Sequence, residues 1–123
     1  AAAVPSADPY ISLAFCLRAT GDARAARGVL VAARKVEPGN PVVEANLGLL
    51  AFDEGDLEDA IEALGAAVRA DPDLHEARFV LARALARSGR IGAARDQAQA
   101  LLERLPADAP QRPEVQRLLE ALR

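Results

Sequence analysis

Apolar residues in the middle of the chain follow a helical pattern. Leu47, Leu50 and Ala51 recur at three- and four-residue spacings, which places them on one face of an α-helix. Asn40 suits the N-cap position because its side-chain oxygen can accept backbone N–H groups. Pro41 fits the first helical position, where its missing N–H costs nothing. The pattern therefore predicts a helix that begins at residue 41.

A second helix is predicted directly after the first. Gly55 ends the first helix because glycine tolerates the positive φ of a helix C-terminus, and Asp56 can cap the next one. That second helix ends before Pro72, since proline pushes the preceding residue out of the α region. Helices joined by so short a turn run antiparallel, and Leu47 and Leu64 are expected to fill the space between them. One such hairpin has too small a core to be stable alone.

The hairpin recurs with a period of 34 residues and without insertions. The columns that agree on this period hold turn glycines, closing prolines, one leucine of the first helix and one alanine of the second. They are Gly21, Gly55 and Gly89; Pro38, Pro72 and Pro106; Leu13, Leu47 and Leu81; and Ala26, Ala60 and Ala94. A fixed period of this length is the signature of a repeat protein whose units stack on one another.

These columns resemble the tetratricopeptide repeat (TPR) family over residues 7–106. Family members have helix–turn–helix units with a leucine followed by a small residue on the first helix, two alanines on the second and a closing proline. The resemblance implies an all-α solenoid, a right-handed superhelix of hairpins. The chain departs from the family pattern at Glu44, Ala51 and Arg78, where large apolar residues are usual, and it exchanges the usual sizes at Ala98 and Leu101.

The predicted organisation comprises a tail, three repeats and a terminal helix. Residues 1–6 lack periodicity and are expected to be disordered. The repeats are TPR 1 at 7–40, TPR 2 at 41–74 and TPR 3 at 75–108, and residues 109–123 supply a C-terminal capping helix with apolar residues on one side only. Seven helices are expected, at 8–20, 23–36, 41–54, 57–70, 74–88, 91–104 and 113–122.

Composition narrows the class of protein. The chain has 123 residues, 51% of them apolar, yet no apolar run approaches the roughly 18 residues of a membrane span. The net charge of −3 with interspersed signs gives no support for nucleic-acid binding. Cys16 is the single cysteine, which excludes an intramolecular disulfide, and it is expected to be a buried, inert thiol. Arginine supplies all but one of the 15 basic residues, which hints at a GC-rich genome, and we expect a bacterial origin.

The sequence carries no recognisable catalytic or metal-binding motif. His75 is the only histidine, and no serine or cysteine lies at a spacing that implies pairing with it. The acidic pairs lie at helix ends, where capping and the helix dipole explain them. No glycine-rich phosphate loop occurs, because the glycines are isolated at repeat turns. We therefore expect a protein that is not an enzyme and needs no cofactor or metal.

A candidate binding surface follows from the phase of the first helices. Taking Leu13, Leu47 and Leu81 as the core direction, a turn of about 100° per residue places all three phenylalanines on the opposite side. The resemblance implies that this side lines the concave groove of the superhelix. Asn46 could hydrogen-bond a ligand backbone, and the arginines could meet a carboxylate. The predicted groove residues are Ile11, Phe15, Arg18, Asn46, Leu49, Phe52, Phe79, Val80, Arg83 and Arg87.

An alternative is that some of these side chains pack between repeats, with Phe15 and Phe52 the foremost candidates. The leading functional hypothesis is a protein-interaction scaffold that binds an apolar peptide or helix segment. A structural spacer or self-assembly module of a larger protein is the second hypothesis. The third is a bacterial envelope assembly factor, because the tail is similar to those of TPR subunits in cytochrome c maturation, pilus and secretion systems.

Two further expectations concern partner and compartment. Members of the family that bind Hsp70 or Hsp90 tails carry lysine, asparagine and arginine at places that hold Ile11, Phe15, Asn46, Glu76 and Val80 in this chain. Only Asn46 fits, so an Hsp tail is not the expected partner. Residues 1–7 lack the basic start and apolar stretch of a signal peptide. We expect a fragment or a processed form, and its compartment, cytoplasmic or periplasmic, stays open.

Overall fold

The computed structural model describes residues 5–123, in which all regular structure is helical. The helices are α1 Asp8–Ala19, α2 Ala23–Val36, α3 Pro41–Asp53, α4 Leu57–Ala70, α5 His75–Arg87, α6 Ile91–Arg104 and α7 Arg112–Ala121. Within the described residues, the all-α prediction and its seven helices are confirmed, with each end within one residue of the expected bound. Residues 1–4 of the tail that was expected to be disordered lie outside the described residues.

The turns inside the hairpins share one hydrogen-bond pattern. In the turn between α3 and α4, the Gly55 N–H donates to the Phe52 carbonyl (3.0 Å) and the Asp56 N–H donates to the Ala51 carbonyl (2.9 Å). This pair of bonds satisfies the last carbonyls of α3 and requires a positive φ, which Gly55 supplies at 81°. The same pair recurs after α1 and α5. Local sequence therefore fixes where each hairpin turns.

A second polar network joins the first hairpin to the second. Asn40 caps α3 by accepting the N–H groups of Val42 (2.9 Å) and Val43 (3.3 Å). Its amide donates to Glu37 (2.7 Å), whose other carboxylate oxygen accepts the N–H of Ala7 (3.1 Å) at the start of α1. These two bonds, the one from Ala7 first, lower the pKa of Glu37. Glu37 thus connects α1, α2 and α3.

Small residues let the two helices of each hairpin approach closely. Ala26, Ala60 and Ala94 are fully buried on the second helices. In the second hairpin the approach is closest at Gly48, where an added Cβ would lie 2.6 Å from the Cγ of Leu64. No side chain fits there without movement of a neighbour. At this point the interior of the hairpin is formed by the Gly48 backbone packed on the Leu64 side chain, rather than by two large side chains.

The leucine column faces the preceding hairpin, which corrects one sequence-based expectation. Leu47 belongs to the buried cluster that Ala26 and Leu30 of α2 form, not to the cluster that contains Leu64. Leu81 likewise joins the cluster of α4. The expectation that Leu47 and Leu64 fill one hairpin is therefore wrong for Leu47, whereas Leu64 does pack inside the hairpin, against Gly48. Leu47 and Leu81 therefore each cover the second helix of the hairpin before them.

The first hairpin has no such neighbour within the described residues. Leu13, which holds the same column as Leu47, is 50% exposed, whereas Leu47 is 5% exposed. The expectation that Leu13 is a core residue is therefore wrong, because no hairpin in the described residues covers it. Cys16, three residues later on the same side of α1, is also exposed, so the expected buried thiol is corrected as well. Because the burial of this column depends on a neighbouring hairpin, the α1 sequence alone cannot reveal it.

The third hairpin accommodates its departures from the family pattern. Ala98 and Leu101 are both buried against α7, so the exchange of sizes leaves the layer filled. Arg78 is buried and donates to the amide oxygen of Gln97 (2.8 Å). Its burial, followed by the nearby charge of Arg104, lowers the pKa of Arg78. The long side chain takes the place of an apolar residue and keeps one polar contact.

Helix α7 covers the open side of α6. Val115 and Leu122 are buried, whereas Arg117 and Glu120 on the other side are exposed. Arg112 donates to the carbonyls of Leu102 (2.7 Å) and Leu105 (3.1 Å), which lie at the end of α6 and would otherwise lack partners. The C-terminal end of the solenoid is therefore closed, unlike the α1 end.

Candidate functional site

A groove of about 730 Å³ runs along α1 and α3 to the first turn of α5. Five of the ten predicted groove residues line it, namely Ile11, Phe15, Arg18, Asn46 and Leu49. We call this surface the N-terminal groove. The 34-residue period explains its shape, because equivalent positions of successive first helices face the same side.

The wall and floor of the N-terminal groove are apolar. Phe15 is 67% exposed and Ile11 is half-buried on the α1 side. Leu49 and Ala45 form the floor and are buried against the next hairpin. Ala45 holds the column that Ile11 occupies in α1, so the middle helix presents a smaller side chain there. An exposed aromatic ring beside a recessed apolar floor can receive an apolar side chain.

The polar residues at the groove edge bind mainly one another. Arg18 donates to Asn46 (3.5 Å) and lies 3.8 Å from the carboxylate of Asp53. The Asn46 amide donates to the Val42 carbonyl of its own helix (2.8 Å). Arg18 and Asn46 are therefore partly satisfied within the chain, and the apolar residues form the larger part of the groove surface that α1 and α3 leave open.

The remaining predicted residues lie further along the same face. Val80 is buried in the core, and Phe52 is buried beneath two guanidinium groups. The guanidinium carbon of Arg87 lies 4.6 Å from the Phe52 ring centre, and that of Arg83 lies 5.1 Å from it. Arg83 also lies 5.9 Å from the ring centre of the half-buried Phe79. We call Phe52, Phe79, Arg83 and Arg87 the arginine–phenylalanine cluster.

The cluster continues the face of the N-terminal groove without lining the groove itself. Arg83 holds the column of Phe15 and Leu49, and Phe79 holds the column of Ile11 and Ala45. A ligand that crosses α1 and α3 along this face therefore meets the cluster on α5.

Sequence reasoning missed part of the groove that comes from α5 and the turn before it. Leu74, His75 and Glu76 line the groove, and Glu76 holds the same column as Val42, which also lines it. Helical phase could have identified Glu76, because a residue five positions before the leucine of the column lies about 140° from that leucine around the helix. His75 is half-buried, and its Nδ1 has no hydrogen-bond partner in the described chain.

The described residues offer little support for metal binding, membrane insertion or catalysis. No group of three or more histidine, cysteine, aspartate or glutamate side chains in residues 5–123 is placed to hold a metal ion. Among the helices of this range, none has the length and apolar character that crossing a bilayer requires. The serine hydroxyl of Ser88 is engaged with the Leu85 carbonyl (2.8 Å). The apolar groove is the feature that carries a functional argument.

Comparisons with known proteins agree with the repeat architecture. The tetratricopeptide repeat family model matches residues 51–122. Among curated proteins, no sequence match to this chain is found.

Three solved structures illustrate the likeness of fold. The type III secretion translocator chaperone SycD of Yersinia enterocolitica superposes with a TM-score of 0.84 at 23% identity, over 94% of this chain and 81% of that one. SycD in complex with a peptide of the translocator YopD gives 0.82 at 24% identity, over 94% and 90%. The first TPR of Spaghetti (RPAP3), bound to an HSP90 peptide, gives 0.83 at 17% identity, over 98% of both chains.

Proposed function

Because the chain belongs to the tetratricopeptide repeat family, we propose that it is a non-enzymatic scaffold that binds an apolar peptide or helix segment in the N-terminal groove. The observation that carries this proposal is Phe15, a ring 67% exposed at the wall of a groove whose floor is apolar. A large exposed aromatic side chain beside a pocket is a typical anchor for a protein partner.

The solved structures of similar fold support a peptide-binding function. SycD and the Spaghetti domain are described in complex with peptides, and both share the fold of this chain. An Hsp tail remains an unsuitable ligand in our proposal, because Ile11, Glu76 and Val80 occupy places where family members that bind such tails carry basic residues. An apolar segment does not depend on those basic residues.

The test compares two exposed apolar residues on opposite sides of α1. Displayed random peptides, with internal and with free C-terminal sequences, are selected against the wild-type chain, Phe15→Asp and Leu13→Asp. Burial of one phenylalanine contributes roughly 1.5–3 kcal/mol, so Phe15→Asp is expected to weaken the selected peptides roughly ten- to hundredfold.

Leu13→Asp is the matched control, since Leu13 is also exposed but points away from the groove. Its binders should match those of the wild type, and circular dichroism should show equal helicity in all three proteins. Equal loss in both variants, or no loss with Phe15→Asp, would refute the groove. Leu49 is less suitable for a charge substitution, because Leu49→Asp would bury a carboxylate in the core.

Self-association is a second candidate, favoured by the outer face of α1. Leu13 and Cys16 are exposed there, and Pro9 and Thr20 on the same face are also uncharged. The equivalent leucines of α3 and α5 are covered, and α7 closes the other end of the solenoid. Two copies would therefore meet α1 to α1. In this form the chain could serve as a structural spacer or assembly module.

Sedimentation over a wide concentration range decides this second candidate. Self-association predicts a dimer that Leu13→Asp converts to a monomer and that Phe15→Asp leaves intact. A wild-type chain that stays monomeric throughout would rule it out.

A narrower form of the main proposal is a bacterial envelope assembly factor. It differs only in the ligand, which would be a segment of an apocytochrome, a pilus subunit or a secreted protein. Peptide arrays from these three classes, probed with wild-type chain and with Phe15→Asp, would show which class binds through the groove. Signals equal for both proteins in every class would contradict this narrower role.

A further inference from the structure

We propose that Arg83 and Arg87 form a carboxylate-binding subsite, so that the ligand is an apolar peptide with an acidic group beyond its anchor. This inference rests on the proposed function, because it assigns the second half of the same ligand. It gives the bound segment a direction, with apolar residues over α1 and α3 and the carboxylate over α5.

Arg83 differs from the other arginines that are at least partly buried in residues 5–123. Each of the others donates to an amide, carbonyl or carboxylate oxygen: Arg18, Arg27, Arg78, Arg95 and Arg112. For Arg83 the described residues supply aromatic neighbours but no oxygen partner. A partly desolvated cation without an anion is unfavourable, and a ligand carboxylate would remove that cost.

Cation–π contact with phenylalanine holds these guanidinium groups in place for an anion. Arg83 lies over Phe52 and Phe79, and Arg87 lies over Phe52. A ring has no oxygen that would occupy the N–H donors of a guanidinium, so these donors remain free to match a carboxylate in bidentate fashion. None of the Arg83 nitrogens is both buried and unpaired, so they stay accessible. Two cations on one ring also repel each other, which an anion between them would relieve.

Three acidic residues at the end of α3 and the start of α4 are paired with other arginines. Asp53, which follows Phe52, lies 3.8 Å from Arg18, and Glu54 lies 2.6 Å from Arg27. Glu58 is held by Arg90 at 3.0 Å. In the described chain, no carboxylate lies within ion-pair distance of Arg83 or Arg87, although acids outnumber bases in the sequence by 18 to 15. The subsite is therefore available to a carboxylate from outside.

The spacing between anchor and carboxylate can be estimated from helix packing. Neighbouring helices lie roughly 8–10 Å apart, so Phe15 on α1 and Arg83 on α5 are separated by roughly 16–20 Å. An extended peptide covers about 3.3–3.6 Å per residue, which gives about five or six residues. The subsite thus predicts an aspartate, glutamate or free C-terminal carboxylate at that distance from the apolar anchor.

The experiment selects displayed peptides against the wild-type chain, the double variant Arg83→Gln/Arg87→Gln and the control Arg69→Gln. Arg69 is exposed on α4, away from the cluster. Wild-type binders should combine an apolar anchor with an acidic group at the predicted spacing. The double variant should keep the anchor and lose the acid enrichment, whereas Arg69→Gln should keep both.

The best wild-type binder is then made with its acid as glutamate or glutamine, and with a free or amidated C-terminus. Loss of the interacting carboxylate should weaken binding to the wild-type chain about tenfold. This loss of affinity should be smaller at high salt, and it should be absent in the Arg83→Gln/Arg87→Gln variant. The arm that shows the loss identifies a side-chain or a terminal carboxylate. Phe15-dependent binders without acid preference would overturn the subsite but keep the groove. Absence of any Phe15-dependent binder would overturn both.

Discussion

At the scale of single residues, Gly48 is the glycine with the least room for a side chain, because it packs directly on Leu64. The equivalent residues Ala14 and Ala82 carry a Cβ and are buried, so the other hairpins admit one methyl group where the second does not. The second hairpin therefore requires glycine at this position, whereas the other two hairpins require only a small residue.

Gly48→Ala is expected to destabilise the chain although alanine favours helices. Overpacking costs typically about 1–3 kcal/mol, and the helix propensity of alanine returns up to about 1 kcal/mol. We predict a net loss of roughly 1–2 kcal/mol in urea unfolding. The matched control is Gly28→Ala in α2, where an added Cβ meets nothing within 4 Å. It should stabilise the chain by roughly 0.5–1 kcal/mol; equal effects at both sites would contradict the close contact.

Glu37 gives a prediction about pH. Its pKa is lowered by the Ala7 and Asn40 donors, so its ionised form stabilises the fold. That contribution is complete above the ordinary value near 4.5 and disappears as the pH falls through the lowered folded-state pKa. Glu37→Gln should therefore lower the melting temperature at pH 7, and the difference from wild type should shrink below about pH 4. A difference independent of pH would assign the effect to shape rather than to charge.

At the scale of helices, α7 acts as a cover whose apolar side is fixed by Val115. This side chain is buried against Leu101 and Leu105 of the last hairpin, while neighbouring Gln116 is exposed. Val115→Ala removes two buried carbon atoms and should cost roughly 1.5–3 kcal/mol with the cavity included. Gln116→Ala should change stability by less than about 0.5 kcal/mol. Hydrogen exchange should show faster exchange in α6 and α7 for Val115→Ala; protection equal to that of Gln116→Ala would contradict the covering role.

Local sequence determined the helices but not which side of each helix is buried. Caps and turn glycines such as Asn40, Asp56 and Gly55 act within a few residues, so they predict the helix ends of the second hairpin within one residue. Burial depends on neighbouring elements. Leu13 and Leu47 hold the same column, and only the hairpin in front of Leu47 separates a core residue from an exposed one.

In the candidate site too, local sequence predicts which residues share a face, whereas packing decides how deeply each one is buried. The face of α1 and α3 follows from helical phase, so Ile11, Phe15 and Leu49 meet in one groove as the column pattern predicts. The depth of each side chain depends on how the first helices stack. Phase alone cannot distinguish the exposed Phe15 from the buried Phe52, nor predict that two arginines lie on the Phe52 ring.

At the scale of the whole molecule, the three hairpins and α7 form a solenoid with different ends and one continuous inner face. The α7 end is closed, the α1 end exposes Leu13, and the inner face passes from the N-terminal groove to the arginine–phenylalanine cluster. These three surfaces can be changed separately, because Leu13, Phe15 and Arg83 lie on different parts of the fold. Loss of one function should leave the others measurable.

The most direct measurement of the central claim is an NMR titration of the isotope-labelled chain with the strongest selected apolar peptide. The amide shifts should change most on the inner face of α1 and α3, around Phe15, Asn46 and Leu49. Leu13 and Val31, which are exposed elsewhere, should stay unchanged. The largest changes at the outer face of α1, or on α2 and α4, would contradict the N-terminal groove as the binding site.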